Sequence, residues 1–219
     1  MNLEFKRETV VDHISTVLEQ RILNGELKPT SKLSESMVAE EFGVSRMPAR
    51  EALQRLEEKN LVRMTHSGRV VNQFSIDEFQ EIYELKNVVE AFGAMLGSQR
   101  ATPSEMARIK EVVDRMKAQF QSGDFHKLEL TNYKFHDLLV GFAKNDKVTD
   151  SFNKLVNQIR WATSKSFRMP DRPARSLEEH IAIFDAYKKR QATKVRKLLE
   201  IHSQNNLQRV VAFFKEWLR

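Results

Sequence analysis

The chain has 219 residues, of which 41% are hydrophobic and 30% are charged, and it contains no cysteine. This composition is typical of a soluble globular protein and excludes an intrinsically disordered one. The lack of cysteine excludes disulfides, thiolate metal sites and cysteine nucleophiles. Because no run of about 18 apolar residues occurs and the N-terminal residues have no apolar signal-peptide core, we expect a cytoplasmic protein without a membrane partner.

The net charge of +6 suggests a nucleic-acid partner, but the distribution of the charge limits that argument. Residues 1–74 contain 11 basic and 11 acidic side chains, whereas residues 159–219 contain 14 basic and 6 acidic ones. Any DNA-binding prediction must therefore depend on where individual residues lie rather than on overall basicity.

The first 74 residues have the pattern of a winged helix-turn-helix. Asn24-Gly25 ends a first amphipathic stretch, and Ser34 and Ser45 are suitable N-caps for two further helices. Two short β-rich runs joined by His66-Ser67-Gly68 predict a hairpin. The predicted elements are helices at about 5–24, 35–42 and 45–59 and strands at 61–65 and 69–73.

From Ser75 onward the whole chain has helical periodicity. The predicted helices lie at about 75–101, 104–122, 124–143, 146–168, 174–190 and 192–217. Six helices of this length can bury a core as an antiparallel bundle. We therefore predict a mainly α fold with two domains, 1–74 and 75–219.

The helix after Ser45 has a basic arc beside its apolar arc. Arg46, Met47 and Arg50 fall on the basic arc near the helix N-terminus, where guanidinium groups can contact guanine bases or phosphates. Arg69, next to the hairpin turn, is a further candidate for contact with a minor groove or a phosphate. The alternative is that these arginines are surface residues paired with Glu51 or Glu57.

The sequence around this helix closely resembles the DNA-binding domain of the GntR family. The residues that carry the resemblance are Phe42-Gly43-Val44-Ser45-Arg46-Met47-Pro48-Ala49-Arg50-Glu51-Ala52-Leu53, followed by Leu61-Val62. The resemblance implies that Ser45, Arg46 and Arg50 contact DNA together with wing residues around Gly68, which include His66. Thr30 and Asn60 stand where the family usually has glycine, and Asn tolerates the left-handed conformation well.

Four polar residues of the predicted bundle fall on or beside apolar helix arcs. His180 and His202 lie on the apolar arcs of their helices, and Asn132 and His136 lie four residues apart at the edge of another. A polar group buried without a partner costs about 1–3 kcal/mol. If all four converge, they form a nitrogen and oxygen site for a divalent metal. Taken one at a time, each histidine is more often a hydrogen-bonded core residue than a ligand.

The segments 132–136 and 176–186, together with His202, resemble the FCD effector domain of FadR-type GntR regulators. The resemblance implies a zinc, nickel or similar ion held by one Asp and three His, which helps to bind a carboxylate effector. His136, His180 and His202 match the three His positions, whereas Asn132 stands where the Asp usually is. A neutral ligand should weaken cation binding, although three imidazoles remain enough for Zn²⁺ or Ni²⁺.

Two basic residues of the bundle are candidates to pair with an anionic effector. Lys86 stands where the subfamily often has an Arg on the first bundle helix, and Arg160 lies further along the chain. Both are explained equally well as solvated surface cations.

The two resemblances cover nearly the whole chain and predict a ligand-responsive transcription regulator, with repression as the expected mode. We expect a homodimer that places two recognition helices on a palindromic operator and responds to a small organic acid. One alternative is a regulator that binds its effector without a metal or that senses the metal itself. The other is a metal-dependent hydrolase in which Glu178 or Glu179 acts as a base, but no His-Glu-x-x-His pair supports it.

Overall fold

A computed structural model describes residues 9–73, 75–167 and 171–217, except for the side chains of residues 23, 24, 161, 162, 164–167, 214, 216 and 217. The chain divides into two compact units, Met1–Phe74 and Ser75–Arg219. Within the described residues, no helix is long and apolar enough to cross a membrane. The fold is mainly helical with one small hairpin, as predicted.

The first unit is a winged helix-turn-helix. Its elements are α1 (Val10–Asn24), α2 (Glu35–Phe42), α3 (Arg46–Glu58), β1 (Val62–Thr65) and β2 (Gly68–Val71). The predicted extension of the first helix to Phe5 lies outside the described residues. The core of this unit is formed by fully buried apolar side chains that include Ile14, Leu18, Val38, Leu53 and Leu56.

Local capping explains where these helices begin and end. The Ser34 side chain accepts a hydrogen bond from the Met37 backbone N–H, which satisfies one free donor at the start of α2. Gly25 and Gly43 end α1 and α2 in the left-handed conformation, which glycine adopts without a steric penalty.

Two residues other than glycine also adopt the left-handed conformation at the positions that the sequence singles out. Thr30 has a φ of 66° and Asn60 a φ of 53°. The Thr30 N–H donates to Val71 O (3.0 Å), and the Asn60 carbonyl accepts from the Asn72 side chain (2.9 Å). These contacts hold the backbone of both turns in place, at a strain that is larger for the β-branched Thr30.

The wing is an antiparallel pair in which Val62 lies opposite Val71 and Thr65 opposite Gly68. A short edge segment extends it, because Lys32 forms a bridge with Val70 and Leu33 N–H donates to Arg69 O (2.9 Å). The hairpin is therefore anchored to the chain that leads into α2.

The second unit is entirely helical in its described residues. Its helices are α4 (Ile76–Arg100), α5 (Pro103–Gln121), α6 (Phe125–Gly141), α7 (Asp146–Phe167), α8 (Arg172–Lys188) and α9 (Ala192–Trp217). These bounds agree closely with the prediction, except that α8 begins two residues earlier and so takes Pro173 into its first turn. Proline is tolerated there because the first N–H groups of a helix have no intrahelical partner.

Helix α4 occupies a central position, since it packs against α6, α7, α8 and α9. Gly97 permits a close approach, because a Cβ there would meet the Leu139 carbonyl oxygen and the Tyr187 hydroxyl. This contact fixes α4 against α6 and α8, the helices that carry two of the candidate site histidines.

Candidate functional site

The N-terminal end of α3 presents the predicted basic surface. Arg46, Met47 and Arg50 are exposed, Met47 to 62%. The opposite face is formed by four fully buried residues, Ala49, Ala52, Leu53 and Leu56. Ser45 caps the helix in an extended conformation, but its side chain makes no capping hydrogen bond. Its hydroxyl therefore remains available for an external partner.

At the wing tip, His66 is exposed and Gly68 is partly exposed with a φ of 107°. Thr65 organises the turn, because its hydroxyl donates to Gly68 O (2.7 Å) and accepts from Ser67 N–H (3.2 Å). The tip is thus a shaped loop on which His66 can meet an external partner.

Arg69 lies in a different place from the one expected for a wing residue that contacts DNA. Its guanidinium donates from Nε to Glu57 and from a terminal nitrogen to Glu35, both at 2.9 Å, and only 11% of the side chain is exposed. Glu57 is therefore paired with Arg69, whereas Arg50 lies 4.0 Å from Glu35 and stays 57% exposed. Arg69 joins the wing to α2 and α3.

In the second unit, three helices bring their histidines together. His136 from α6, His180 from α8 and His202 from α9 are 8%, 0% and 1% exposed. One ring nitrogen of each lies within 4.8 Å of the others, and the Nε2 atoms of His136 and His180 are 3.1 Å apart. The sequence-predicted histidines thus converge in the interior of the bundle.

Two carboxylates contact the outer side of this cluster. Glu90 on α4, which is fully buried, lies against His136 Nδ1 and also against Lys86 Nζ. Glu179 on α8 lies 2.6 Å from His202 Nδ1 and also accepts from the Asn205 side chain (2.8 Å). Glu90 was not among the residues predicted from the sequence, and Glu179 was predicted only as a possible base for hydrolysis. The available signal for Glu90 was its spacing of four residues from Lys86.

Burial keeps two of the imidazoles uncharged. Loss of hydration holds the pKa of His180 well below its ordinary value, and the neighbouring His202 and His136 lower it further. Burial also lowers the pKa of His202 to about 4, against the opposing effect of Glu179. A neutral imidazole is the form that binds a metal.

The Glu90 carboxylate is nevertheless ionised. Burial alone would raise the pKa of Glu90, but the nearby Lys86 and His136 outweigh it and hold the pKa well below its ordinary value. Glu90 is therefore a charged carboxylate in the interior of the bundle, in contact with Lys86 and His136.

A cavity of about 40 Å³ adjoins the cluster, which is room for about three water molecules. His136 and His202 form part of its wall, together with Lys86, Asn132 and Arg172. Asn132 thus lines the same cavity as His136 and His202. Arg160 does not line it; its guanidinium lies 5.0 Å from the centre of the Tyr133 ring.

Arg172 lies in the first turn of α8 and is only 5% exposed. The predicted helix began after this residue. Arg172 donates to Thr163 O (3.2 Å). Burial is the largest influence on its pKa, which lies below the ordinary value. The cavity wall therefore has two buried basic residues, Lys86 and Arg172.

The donor set fits a transition-metal ion. Two nitrogens bound to a tetrahedral Zn²⁺ at about 2.0–2.1 Å lie roughly 3.3 Å apart, close to the 3.1 Å between the Nε2 atoms of His136 and His180. Metal-bound histidines usually donate their second N–H to a carboxylate or carbonyl, and Glu90 and Glu179 occupy those positions for two of the three rings.

Comparisons with known proteins agree with this architecture. Residues 10–71 match the family model for bacterial regulatory proteins of the gntR family, and residues 81–205 match the FCD domain. The chain is 25% identical to the HTH-type transcriptional regulator YdhC of Bacillus subtilis over 91% of its length and 90% of the relative's. It is 26% identical to the HTH-type transcriptional repressor RspR of Escherichia coli, over 90% and 87%.

Among solved structures, E. coli McbR/YncC has the same fold, with a TM-score of 0.77 at 20% identity over 94% of this chain and 99% of that one. The names of the relatives indicate transcriptional regulators and not enzymes, so the hydrolase alternative is set aside. The chain belongs to the GntR family of DNA-binding transcriptional regulators and carries an FCD effector domain.

Proposed function

We propose that this protein is a repressor whose operator affinity is changed by a small carboxylate effector bound beside a Zn²⁺ or Ni²⁺ ion in the FCD domain. The observation that carries the proposal is the buried cluster of His136, His180 and His202 in contact with a cavity that contains basic side chains. A repressor is favoured over an activator because the relative RspR is named as one.

The three histidines would hold the ion, and Asn132 would contribute a neutral oxygen. A bound divalent ion supplies positive charge and open coordination positions to which a carboxylate can bind. Since Asn132 carries no charge, we expect weaker metal binding than with Asp at this position. There are two alternatives: the effector binds without a metal, or the metal itself is the signal. Metal analysis of untagged protein distinguishes them.

The effector is a compact organic anion. The small cavity volume limits its size. The cavity wall contains two basic residues, Lys86 and Arg172, and one acidic residue, Asp137, and this excess of basic residues favours an anion. Arg160 was the second predicted cation, but its position over Tyr133 favours a role in ordering that ring. We therefore assign the second basic residue of the effector site to Arg172.

The operator contacts of the proposed function come from α3 and the wing tip. Exposed Arg46, Arg50 and Met47 would enter the major groove, with Ser45 at the backbone and His66 and Gly68 at the wing. Arg69 would support this surface through its ion pairs.

We expect a homodimer on a palindromic operator. An exposed apolar stripe on α4 supports a subunit interface in the second unit: Leu85, Val88 and Phe92 are 55%, 65% and 42% exposed and lie three and four residues apart. Large apolar side chains grouped on one exposed helix face usually mark an interaction surface.

The test is DNase footprinting and gel-shift titration on the DNA upstream of the protein's own gene. Protection of a palindromic site is expected, with affinity lost in the Arg46→Ala variant and retained in Arg196→Ala, an exposed arginine paired with Glu200 on α9. The same titration with Zn²⁺ and a panel of small carboxylic acids should release the DNA for at least one acid. Failure to protect any palindrome at modest salt, with Arg46→Ala equal to wild type, would contradict the proposal.

A further inference from the structure

The metal site has an unusual distribution of negative charge. None of the proposed inner ligands carries a negative charge, because one is the amide of Asn132 and the other three are imidazoles. The carboxylates of Glu90 and Glu179 lie one shell further out, each against the Nδ1 atom of one histidine, and Asp137 lies on the cavity wall.

We propose that Glu90 and Glu179 are positioning residues that direct the Nε2 atoms of His136 and His202 towards the metal and supply the negative charge that Asn132 lacks. This inference deepens the proposed function and rests on its metal site.

The first step is the tautomer. An ionised carboxylate can only accept, so a histidine whose Nδ1 contacts it carries the proton there. The contacts of Glu90 with His136 and of Glu179 with His202 (2.6 Å) therefore place a proton on Nδ1 of each ring, which makes Nε2 the nitrogen that binds an ion when the imidazole is neutral. His202 Nε2 accepts from the Asn206 side chain at 2.9 Å, which is consistent with an unprotonated Nε2.

His180 differs from the other two rings because no carboxylate lies against its Nδ1 among the described residues. That atom is buried and has no hydrogen-bond partner in the described part of the chain. His136 Nδ1 also lacks a hydrogen bond of regular geometry to these residues, but Glu90 lies against it. His180 Nε2 lies 3.1 Å from His136 Nε2, and since His136 accepts there, His180 is the donor. In the metal-free protein, only His136 and His202 thus have an unprotonated Nε2.

The second step is charge. Glu90 also contacts Lys86, and Glu179 also accepts from Asn205 and lies 3.4 Å from the Arg209 guanidinium. Each carboxylate is therefore shared between a histidine and a basic residue.

The experiment measures Zn²⁺ affinity of the full chain by competition with a chromophoric chelator. Glu90→Gln and Glu179→Gln should each bind Zn²⁺ about 10–100-fold more weakly than wild type, the range usual for loss of an outer-shell partner. Asp114→Asn, which removes an exposed carboxylate paired with Lys110 on α5, is the matched control and should bind like wild type.

A double variant separates positioning from simple ion pairing. In Lys86→Met/Glu90→Gln no buried lysine is left uncompensated, so the fold is protected where the single Glu90 variant could lose stability. If Glu90 serves the metal site, the double variant keeps the 10–100-fold loss. If Glu90 only neutralises Lys86, the double variant recovers the wild-type affinity for Zn²⁺, and the proposal for Glu90 is overturned.

A second measurement does not need the metal. Nitrogen-15 NMR of the metal-free wild type should show a proton on Nδ1 of both His136 and His202, and a proton on Nε2 of His180. Unprotonated Nδ1 atoms in His136 and His202 would overturn the inference even if Zn²⁺ binds. Wild-type protein that binds neither Zn²⁺ nor Ni²⁺ but shows the expected protons would instead remove the metal from the proposed function and leave the tautomer assignment standing.

Discussion

Replacing Arg69 with methionine distinguishes a structural arginine from a DNA-binding one. Arg69→Met removes two charge-assisted hydrogen bonds of 2.9 Å, to Glu57 and Glu35, from a side chain that is 11% exposed. Burial alone would lower the pKa of the Arg69 guanidinium, yet the two carboxylates raise it above its ordinary value, which shows that they favour the charged form.

The size of the effect follows from these contacts. A hydrogen bond to a charged group contributes about 1.5–3 kcal/mol. Because Glu35 and Glu57 keep 33% and 26% of their side chains exposed, they recover hydration when the arginine is lost. We therefore expect less than the roughly 3–6 kcal/mol of two such bonds, a loss of about 2–3 kcal/mol in the free energy of unfolding of the first unit. For a domain of this size, that corresponds to a decrease in Tm of about 10–20 °C.

Differential scanning calorimetry of the full chain measures this decrease, and Arg46→Met is the matched control. Arg46 is exposed, so its replacement should change the unfolding free energy by less than about 0.5 kcal/mol while it weakens operator binding by about 1–3 kcal/mol. An Arg69→Met protein with unchanged Tm and an operator affinity as weak as that of Arg46→Met would refute this reasoning and make Arg69 a direct DNA contact.

Three further predictions follow from backbone strain, close packing and the metal site. Thr30→Gly should stabilise the first unit by up to about 1 kcal/mol in urea unfolding. The variant relieves about 1–2 kcal/mol of left-handed strain, which exceeds the cost of the added chain entropy of glycine. A lower urea midpoint would contradict this prediction. Gly97→Ala should destabilise the protein by about 1–3 kcal/mol, whereas Gly141→Ala, where an added Cβ meets no atom within 4 Å, should not destabilise it. Zn²⁺ at 100 times its Kd should raise the Tm of the second unit by about 5–10 °C; an equal rise in His180→Ala would show that the ion binds elsewhere.

The helices were predictable because their ends are determined locally. Ser34 caps the start of α2 with its own side chain, and Gly25 and Gly43 end α1 and α2. Each lies at a predicted helix boundary. The start of α8 was predicted two residues too late because Pro170 and Pro173 together resemble a loop. Pro173 is equally suited to the first turn of a helix.

His180 and His202 lie on apolar arcs and His136 lies at the edge of one, which predicts that all three face the core. Their grouping as one ligand set was implied by the resemblance to the FCD domain. The partners of buried charged residues were not predictable in this way. Glu90 is far from His136 in the sequence, and only the packing of α4 against α6 brings the two side chains into contact. Arg172 likewise reaches the cavity wall only through the packing of α8. The ion pairs of Arg69 were not predictable for the same reason, since its partners Glu35 and Glu57 come from two other elements.

The ion pairs of the first unit leave two arginines available at the start of α3. Four other basic residues of this unit are paired with acidic ones, in the pairs Arg21–Glu41, Arg55–Asp12, Lys59–Glu19 and Arg69–Glu57. Arg46 has no ion pair among the described residues, and Arg50 has only the distant contact with Glu35. Because residues 1–74 contain as many acidic as basic side chains, their non-specific affinity for phosphates should be low. Recognition should therefore depend on the contacts that these two arginines make with the operator.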